Sequence, residues 1–388
     1  METSRRSWAV LAGCWLVATG YNAYLIAPAS VLPRLASTFG VDKPTAGFAI
    51  SAVYAAWVLL QLPAGLAMDR RDNRQLVLAG VGVFFVAAVA GYLADGYALF
   101  IASRFLGGTA AAFIWTAGAN IVGRTFPAST RALATSLFVA SAPAGFALAQ
   151  FVGPLLAGAF GWRSVVVAYA LITLVGLPVF LRAADEPVRV DSALSPSAFL
   201  AALRRRSVLL VSGSSFCAYS LFLFFNSWMP AYATERLAAD LAAAGAATAL
   251  VPLSGVVARP GGGWLADRTG RRPVVAAALL LSLPALGALL LVGSPLAFAA
   301  LLLVAGFVSQ LGIGVYYVYV GELAADAEGG TSLAVLTTLS VGGSLVTPVV
   351  TGWLIESVSW TAAFGYAAAL GVLGVVLVAL APSAAAAG

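Results

Sequence analysis

The chain has 388 residues, of which 61% are hydrophobic and only 9% are charged, with a mean hydropathy of +0.97. Soluble domains are about 45 to 50% apolar, so this composition excludes a soluble protein and indicates one that lies in a lipid bilayer. The net charge of +6 comes from basic residues in short loops between apolar stretches, which indicates membrane topology and not nucleic-acid binding. Histidine is absent and the only two cysteines lie in apolar stretches, so no metal site, disulfide framework or cofactor is expected.

A helix that crosses the membrane needs about 20 mostly apolar residues. By this measure the sequence contains twelve spans, numbered 1 to 12 in chain order. They cover about residues 7–30, 45–67, 76–94, 98–122, 131–156, 163–182, 207–232, 241–265, 274–292, 295–320, 331–355 and 360–381. The sequence therefore predicts an all-α membrane protein.

A single polar stretch, residues 183–206, is long enough to separate two bundles, and six spans lie on each side of it. We predict an N-terminal bundle over residues 1–182, a cytoplasmic linker over 183–206 and a C-terminal bundle over 207–388. An even number of spans places both termini on one face of the membrane. The loops on that face carry 15 arginines and the opposite loops carry 4 basic residues, which predicts cytoplasmic termini in a cell membrane.

One short motif occurs twice, 198 positions apart, at the end of spans 2 and 8. The copies read Gly65-Leu66-Ala67-Met68-Asp69-Arg70-Arg71-Asp72-Asn73-Arg74 and Gly263-Trp264-Leu265-Ala266-Asp267-Arg268-Thr269-Gly270-Arg271-Arg272. Span 4 contains Arg104-Phe105-Leu106-Gly107-Gly108. Over essentially the whole chain these features resemble the major facilitator superfamily. The resemblance implies a transporter, not an enzyme, built from two six-helix bundles related by pseudo-symmetry.

The resemblance also implies that the repeated loop is a conformational latch on the cytoplasmic side. Its residues are Gly65, Asp69 and Arg70 in the first copy and Gly263, Asp267, Arg268, Arg271 and Arg272 in the second, and its carboxylates meet helix starts near Thr331 and Thr130. The residues themselves fit this role, because glycine permits close helix approach and a carboxylate is favoured beside arginine and helix N-termini. The alternative is that the arginines are only topology anchors. Asp72 and Asn73 replace the glycine and arginine of the pattern, so the first loop is expected to be looser.

Only two charged residues, Arg104 and Arg259, lie well inside spans. An arginine at the bilayer centre costs at least about 2.5 to 3.5 kcal/mol, so such a residue usually faces an interior cavity. Arg259 precedes Asp267 by eight residues, about 12 Å along the helix axis. The residue 198 positions before Arg259 is Gln61, which is therefore a substrate-binding candidate as well. We predict that Arg259 faces the central cavity and binds a negative group of the substrate, with snorkelling or support of the latch as the alternative.

The string Ala258-Arg259-Pro260 followed by Gly263 also resembles helix 8 of monocarboxylate transporters and, more loosely, of nitrate/nitrite porters. This second resemblance implies an anionic substrate at Arg259. Monocarboxylate carriers usually have an acidic residue one turn earlier, where this chain has Gly255, and nitrate porters pair the arginine with a second one, where this chain has Gln61.

The remaining candidates are polar residues within the spans. Arg104, in one motif with Gly107 and Gly108, is within reach of Asp95 at the end of span 3, and a structural pairing of the two is expected. By family geometry, further substrate-binding candidates are Tyr21, Asn22, Tyr219, Asn226 and Gln310, and each of them also fits helix–helix contact. Tyr316, Tyr317 and Tyr319, near the inner end of span 10, are predicted to form an interfacial aromatic belt.

Every acidic residue falls in a loop or a terminal helical turn, so no carboxylate or histidine at mid-membrane depth can carry a coupling proton. We therefore predict a secondary active or facilitative carrier that works as a monomer by alternating access on a small organic or inorganic anion. The alternative is proton-coupled efflux of lipophilic compounds, since Gly153-Pro154 and the Arg104 motif resemble antiporter patterns. An integral-membrane enzyme would need convergent polar or metal-binding groups at membrane depth, which the sequence does not offer.

Overall fold

The computed structural model describes residues 5–184, 187–188, 196–323 and 329–382 of the chain, and these residues contain helices and no β-strand. Twelve segments within them are long and apolar enough to cross a membrane. Each coincides with one predicted span, which confirms the all-α membrane fold. Helices are expected here, because in lipid every backbone N–H and C=O must be satisfied within the segment.

Eight spans are single α-helices. They are Lys43–Arg70 (span 2), Asn73–Tyr92 (3), Ser164–Ala183 (6), Arg206–Arg236 (7), Leu241–Thr269 (8), Arg271–Leu291 (9), Gly329–Ser357 (11) and Trp360–Leu380 (12). The other four are interrupted. Span 1 consists of Arg5–Ile26, a 3-10 segment Ala27–Val31 and Leu32–Phe39; span 4 of Tyr97–Ala112, a π-helical turn Phe113–Ala117 and Gly118–Thr125; span 5 of Ala128–Val139 and Ser141–Phe160; span 10 of Pro295–Gln310 and Val315–Leu323.

The chain divides into two compact units. Unit 1 consists of residues 1–35 and 52–192, and unit 2 consists of residues 36–51 and 193–388. The first turns of span 2 therefore group with unit 2, although the sequence predicts that they belong to the N-terminal bundle. Gly352 of span 11 explains this packing, since a Cβ atom there would lie 2.6 Å from the carbonyl oxygen of Lys43. An ion pair of 2.8 Å between Lys43 Nζ and Glu235 Oε2 adds to the contact.

Small residues set the helix packing in unit 1. Span 1 lies against spans 5 and 6, where a Cβ on Gly13 would be 2.6 Å from the backbone nitrogen of Phe180 and one on Gly145 would be 2.5 Å from the carbonyl oxygen of Thr19. Span 4 lies equally close to span 2, because a Cβ atom added to Gly108 would be 2.8 Å from the Cα atom of Val53. In a bilayer the hydrophobic effect does not bring helices together, so they associate through close packing at small residues such as these.

Unit 2 repeats this arrangement. Span 7 lies against spans 11 and 12, and span 8 lies against span 10 through Gly306 and Val251, with 2.6 Å between the glycine's Cβ position and the valine Cα. Gly306 follows Gly108 by 198 positions, and Val251 follows Val53 by the same number, which is the offset of the repeated loop. The internal repeat is therefore present in the packing of the helices as well as in the sequence.

The interruption of span 10 positions the candidate site. The first helix of this span ends at Gln310, and the second begins at Val315 after a turn that contains Gly312 and Gly314. Span 8 fits against the turn because Gly262 has no side chain where the carbonyl of Leu311 approaches. Gln310, the last residue before the turn, therefore faces span 8.

A short helix, Pro196–Ala202, lies in the predicted linker and is called the linker helix. Ala202 at its end packs with Val208 of span 7 and Val335 of span 11, and Phe199, Leu203 and Leu339 border this cluster. The rest of the predicted linker lies partly outside the described residues, since positions 185–186 and 189–195 are not among them.

Candidate functional site

Arg259 lies in span 8, two turns before the repeated loop, and its guanidinium group is held by span 10. The Nε atom of Arg259 donates a hydrogen bond of 3.1 Å to Oε1 of Gln310. The arginine side chain is partly accessible, whereas Gln310 is completely buried. Gln310 is a sequence-predicted candidate, and the structure brings it together with Arg259.

Both ends of the Gln310 amide are engaged. Its Nε2 atom donates to the carbonyl oxygen of Val251 at 2.6 Å, so the amide oxygen is the end that faces Arg259. Gly255 makes room for the amide, since a Cβ atom there would lie 2.6 Å from Cδ of Gln310 and 2.7 Å from its Nε2. Gln310 therefore supports the arginine and has no accessible polar atom for a ligand.

Aromatic residues surround the other side of the guanidinium group. Its central carbon lies 5.6 Å from the ring centroid of Phe222 in span 7. Tyr219 of span 7 and Tyr317 of span 10 are close enough to Arg259 to interact electrostatically. Their hydroxyl groups are 3.2 Å apart, and Thr337 of span 11 lies close to Tyr317. Tyr219 was a sequence-predicted candidate, whereas Phe222, Tyr317 and Thr337 were not.

The outer edge of the guanidinium group carries two nitrogens, Nη1 and Nη2. Within the described part of the chain, neither has a protein acceptor in hydrogen-bond range, and no carboxylate pairs with Arg259. A cation that is shielded from water is stabilised by pairing with an anion. The arrangement therefore favours an anion from outside the protein at this edge.

The remaining substrate-binding candidates are engaged within the protein. Tyr21 is buried in unit 1 and donates to the carbonyl oxygen of Gly107 at 3.0 Å. Asn22 and Asn226 are buried and donate to carbonyl oxygens one turn earlier in their own helices, each at 2.8 Å. Gln61, the repeat counterpart of Arg259, is partly accessible in unit 1 and accepts a hydrogen bond of 3.0 Å from Nε1 of Trp57.

Tyr21 and Tyr219 are themselves related by the 198-residue offset, yet their surroundings differ. Tyr21 is 1% exposed and joins spans 1 and 4, whereas Tyr219 is partly accessible beside Arg259. The aromatic belt expected in span 10 also differs from the structure. Tyr316 and Tyr319 are fully buried, and the hydroxyl of Tyr316 bonds Ser214 at 2.8 Å, so these rings hold helices together.

Arg104 binds backbone carbonyl groups of span 1. It is fully buried and donates to the carbonyl oxygens of Tyr24 at 2.9 Å and Leu25 at 2.7 Å. These carbonyls are available because the α-helix of span 1 ends at Ile26 and a 3-10 segment follows. Gly107, in the same motif, leaves room for the Tyr24 ring, with 2.7 Å between the glycine's Cβ position and Cε1 of the tyrosine. The span 4 motif therefore joins spans 1 and 4.

The second copy of the repeated loop forms a charged cluster at the end of span 8. Arg271 contacts Asp267 and also makes an ion pair of 2.9 Å with Glu322 of span 10. Arg268 stacks on the ring of Trp264 at 3.7 Å, and Arg272 donates to the carbonyl oxygen of Ala379. A Cβ atom added to Gly263 would have no described atom of another helix within 4 Å. The close helix approach predicted at this glycine is therefore not seen in the described residues.

The first copy is organised differently. The side chain of Asp69 lies outside the described residues, and Gly65 and Arg70 lie in the last turns of span 2. Arg74 donates to the carbonyl oxygen of Ala184, at the end of span 6, as Arg272 does at the end of span 12. This shared contact is a further consequence of the repeat.

Asp72 and Asn73 hold the beginning of the linker. Asp72 accepts from the backbone nitrogens of Arg74 at 3.1 Å and Val188 at 3.0 Å. Asn73 donates to the carbonyl oxygen of Val188 twice, from its backbone nitrogen and from its side-chain Nδ2, each at 2.8 Å. The two residues that depart from the pattern therefore bind the linker backbone.

Twelve apolar spans in a repeated arrangement, found within the described residues, define a multi-pass membrane protein. The chain belongs to the major facilitator superfamily, which matches residues 13–240 and 214–386. It is therefore a membrane transporter of small molecules and not an enzyme.

Relatives and solved structures agree with this family. The chain is 25% identical over 266 residues to the probable galactarate/D-glucarate transporter GudP of Bacillus subtilis (strain 168), a match that covers 59% of this chain and 57% of that protein. It is 25% identical over 376 residues to the MFS-type transporter YceJ of the same organism, with 92% of each chain covered. A bacterial homologue of the human lysosomal transporter Spinster has the same fold, with a TM-score of 0.78, 17% identity, and 98% of this chain and 95% of that one covered.

Proposed function

We propose that the protein carries a small organic or inorganic anion across the cell membrane by alternating access, and that Arg259 binds the anionic group. The observation that carries the proposal is the state of the guanidinium group. Its Nε atom is held by Gln310, and within the described residues its outer nitrogens have no protein acceptor. An anion is the ligand that would satisfy both the charge and the free hydrogen-bond donors.

Three further observations support this proposal. The relative GudP bears the name of a probable galactarate/D-glucarate transporter, and both of those compounds are anions. The two repeated halves of the chain are the architecture on which alternating access operates in transporters of this type. The excess of arginine in the loops of one face supports cytoplasmic termini.

The proposal is tested by ligand binding to the purified protein. Thermal stabilisation by D-glucarate, acetate, nitrate, chloride and sulfate is measured, because a ligand that binds only the folded state raises the unfolding temperature. A charge-assisted hydrogen bond contributes roughly 1.5 to 3 kcal/mol, so Arg259→Gln should weaken anion affinity by at least about tenfold. Arg259→Lys should restore binding only in part, because lysine lacks the planar fork.

The matched control is Arg236→Gln, which removes an exposed arginine at the end of span 7. This variant should keep the affinity of the unaltered protein. The proposal fails if no anion stabilises the protein, or if Arg259→Gln and Arg236→Gln bind anions equally well.

A further inference from the structure

The amide of Gln310 supports Arg259, and Gly255 leaves the space that this amide occupies. Anion binding by Arg259 does not by itself require such a support. We propose that this pair directs the guanidinium group and makes the site selective for carboxylates over spherical anions such as chloride. The inference rests on the proposed function of Arg259 and assigns positioning roles to Gln310 and Gly255.

Gln310 restricts which edge of the arginine a ligand can use. A guanidinium group can bind two oxygens side by side, either through Nε with one Nη or through both Nη atoms. Gln310 Oε1 accepts from Nε at 3.1 Å, so the edge that includes Nε is already used. The edge formed by Nη1 and Nη2 remains, and two parallel N–H groups match the two oxygens of a carboxylate. A spherical ion cannot align with both.

The orientation of the amide is determined by its second hydrogen bond. Gln310 Nε2 donates to the carbonyl oxygen of Val251 at 2.6 Å. A reversed amide would place its nitrogen against the Nε–H of Arg259 and its oxygen against the carbonyl of Val251. Both contacts would be repulsive, so one orientation is strongly favoured.

Gly255 is necessary because the amide occupies the volume of a side chain at that position. A Cβ atom on residue 255 would lie 2.6 Å from Gln310 Cδ and 2.7 Å from Nε2. These distances are far inside van der Waals contact. Any larger residue would therefore displace the amide and release Nε of Arg259.

The support is also electrically neutral. An amide oxygen accepts the Nε hydrogen bond without cancelling the positive charge, which stays available to a ligand. A carboxylate at the same place would make a similar hydrogen bond and neutralise the arginine. Two mutations probe this support in different ways. Gln310→Ala removes the support and keeps the charge of the arginine, whereas Gln310→Glu neutralises the arginine and also replaces the donor to the Val251 carbonyl by an oxygen.

The experiment compares dissociation constants for acetate, D-glucarate and chloride in the intact purified protein. The unaltered protein should bind the carboxylates more tightly than chloride. Gln310→Ala and Gly255→Ala should lower the ratio of acetate affinity to chloride affinity by about fivefold or more, and Gln310→Glu should lower affinity for every anion by about tenfold.

Two matched controls separate these effects from general damage. Gly261→Ala adds a methyl group in the same span where no neighbour lies within 4 Å, and Gln150→Ala removes a fully buried glutamine of unit 1. Both should preserve the acetate-to-chloride ratio, whatever they do to the unfolding temperature without ligand.

The outcomes distinguish this inference from the proposed function. If Arg259→Gln loses anion binding but Gln310→Ala, Gly255→Ala and Gln310→Glu keep the affinities and the ratio of the unaltered protein, the support has no role in selectivity and only the inference is overturned. If Arg259→Gln binds every anion normally, the proposed function fails as well.

Discussion

Replacing Asp72 by alanine should release the beginning of the linker from unit 1. Asp72 is 7% exposed, caps span 3 by accepting from the backbone of Arg74, and accepts the N–H of Val188 at 3.0 Å. Loss of a helix cap costs about 1 kcal/mol, and loss of a charge-assisted hydrogen bond costs roughly 1.5 to 3 kcal/mol. Because the effects are not additive, we expect the local opening free energy at Val188 to fall by about 2 to 3 kcal/mol, which is about a 30- to 150-fold faster exchange.

Hydrogen–deuterium exchange measured by mass spectrometry on peptides that cover residues 184–188 tests this expectation. The control is Asp240→Ala, because Asp240 caps span 8 by accepting from Ala243 at 2.8 Å and has no contact with the linker among its described hydrogen bonds. The control should leave exchange at Val188 unchanged. If Asp72→Ala also leaves it unchanged, the hydrogen bonds to Val188 do not hold the linker in solution.

The same contact has a defined pH dependence. Partial burial of Asp72 favours its neutral form, but hydrogen bonds from Arg74 and Val188 outweigh this effect and lower the pKa of the carboxyl below its ordinary value. A carboxyl whose pKa is lowered by folding stabilises the folded state above the unfolded pKa of about 3.9, and this contribution is lost as pH falls through the folded pKa. Protection of Val188 should thus be constant from about pH 5 to 8 and decline only in stronger acid, where Asp72→Asn should show no such decline.

Two further predictions concern transport. Asp267→Asn should slow transport while leaving substrate affinity nearly intact, because Asp267, at the end of span 8, contacts Arg271 and lies two turns from Arg259. Single-turnover transport and equilibrium binding are compared. Loss of binding with unchanged conformational exchange would contradict the expectation. Because the spans contain no mid-membrane carboxylate or histidine, an imposed pH gradient should not drive accumulation of a permanently ionised substrate such as nitrate into proteoliposomes, and strong proton-driven uptake would refute this.

The sequence alone predicted the membrane fold in considerable detail. Twelve spans, the internal repeat and the family follow from apolar stretches and from one loop that occurs twice, because these are properties of consecutive residues. Arg259 was also identified from sequence, since a charged residue inside an apolar span is conspicuous without any knowledge of its neighbours. Tyr219 and Gln310 were proposed from their positions on spans 7 and 10.

Only the tertiary structure decided what those side chains contact. Gln310 supports Arg259, Tyr317 pairs with Tyr219, and Asn73 binds Val188, 115 positions along the chain. Each contact depends on how one helix is rotated and shifted against another, and local hydropathy contains no information about that relation. Tyr21 and Tyr219 illustrate the difference, because they occupy equivalent places in the repeat. Residues on the facing helices, Gly107 in one half and Tyr317 in the other, determine that one tyrosine joins helices while the other lies beside the arginine.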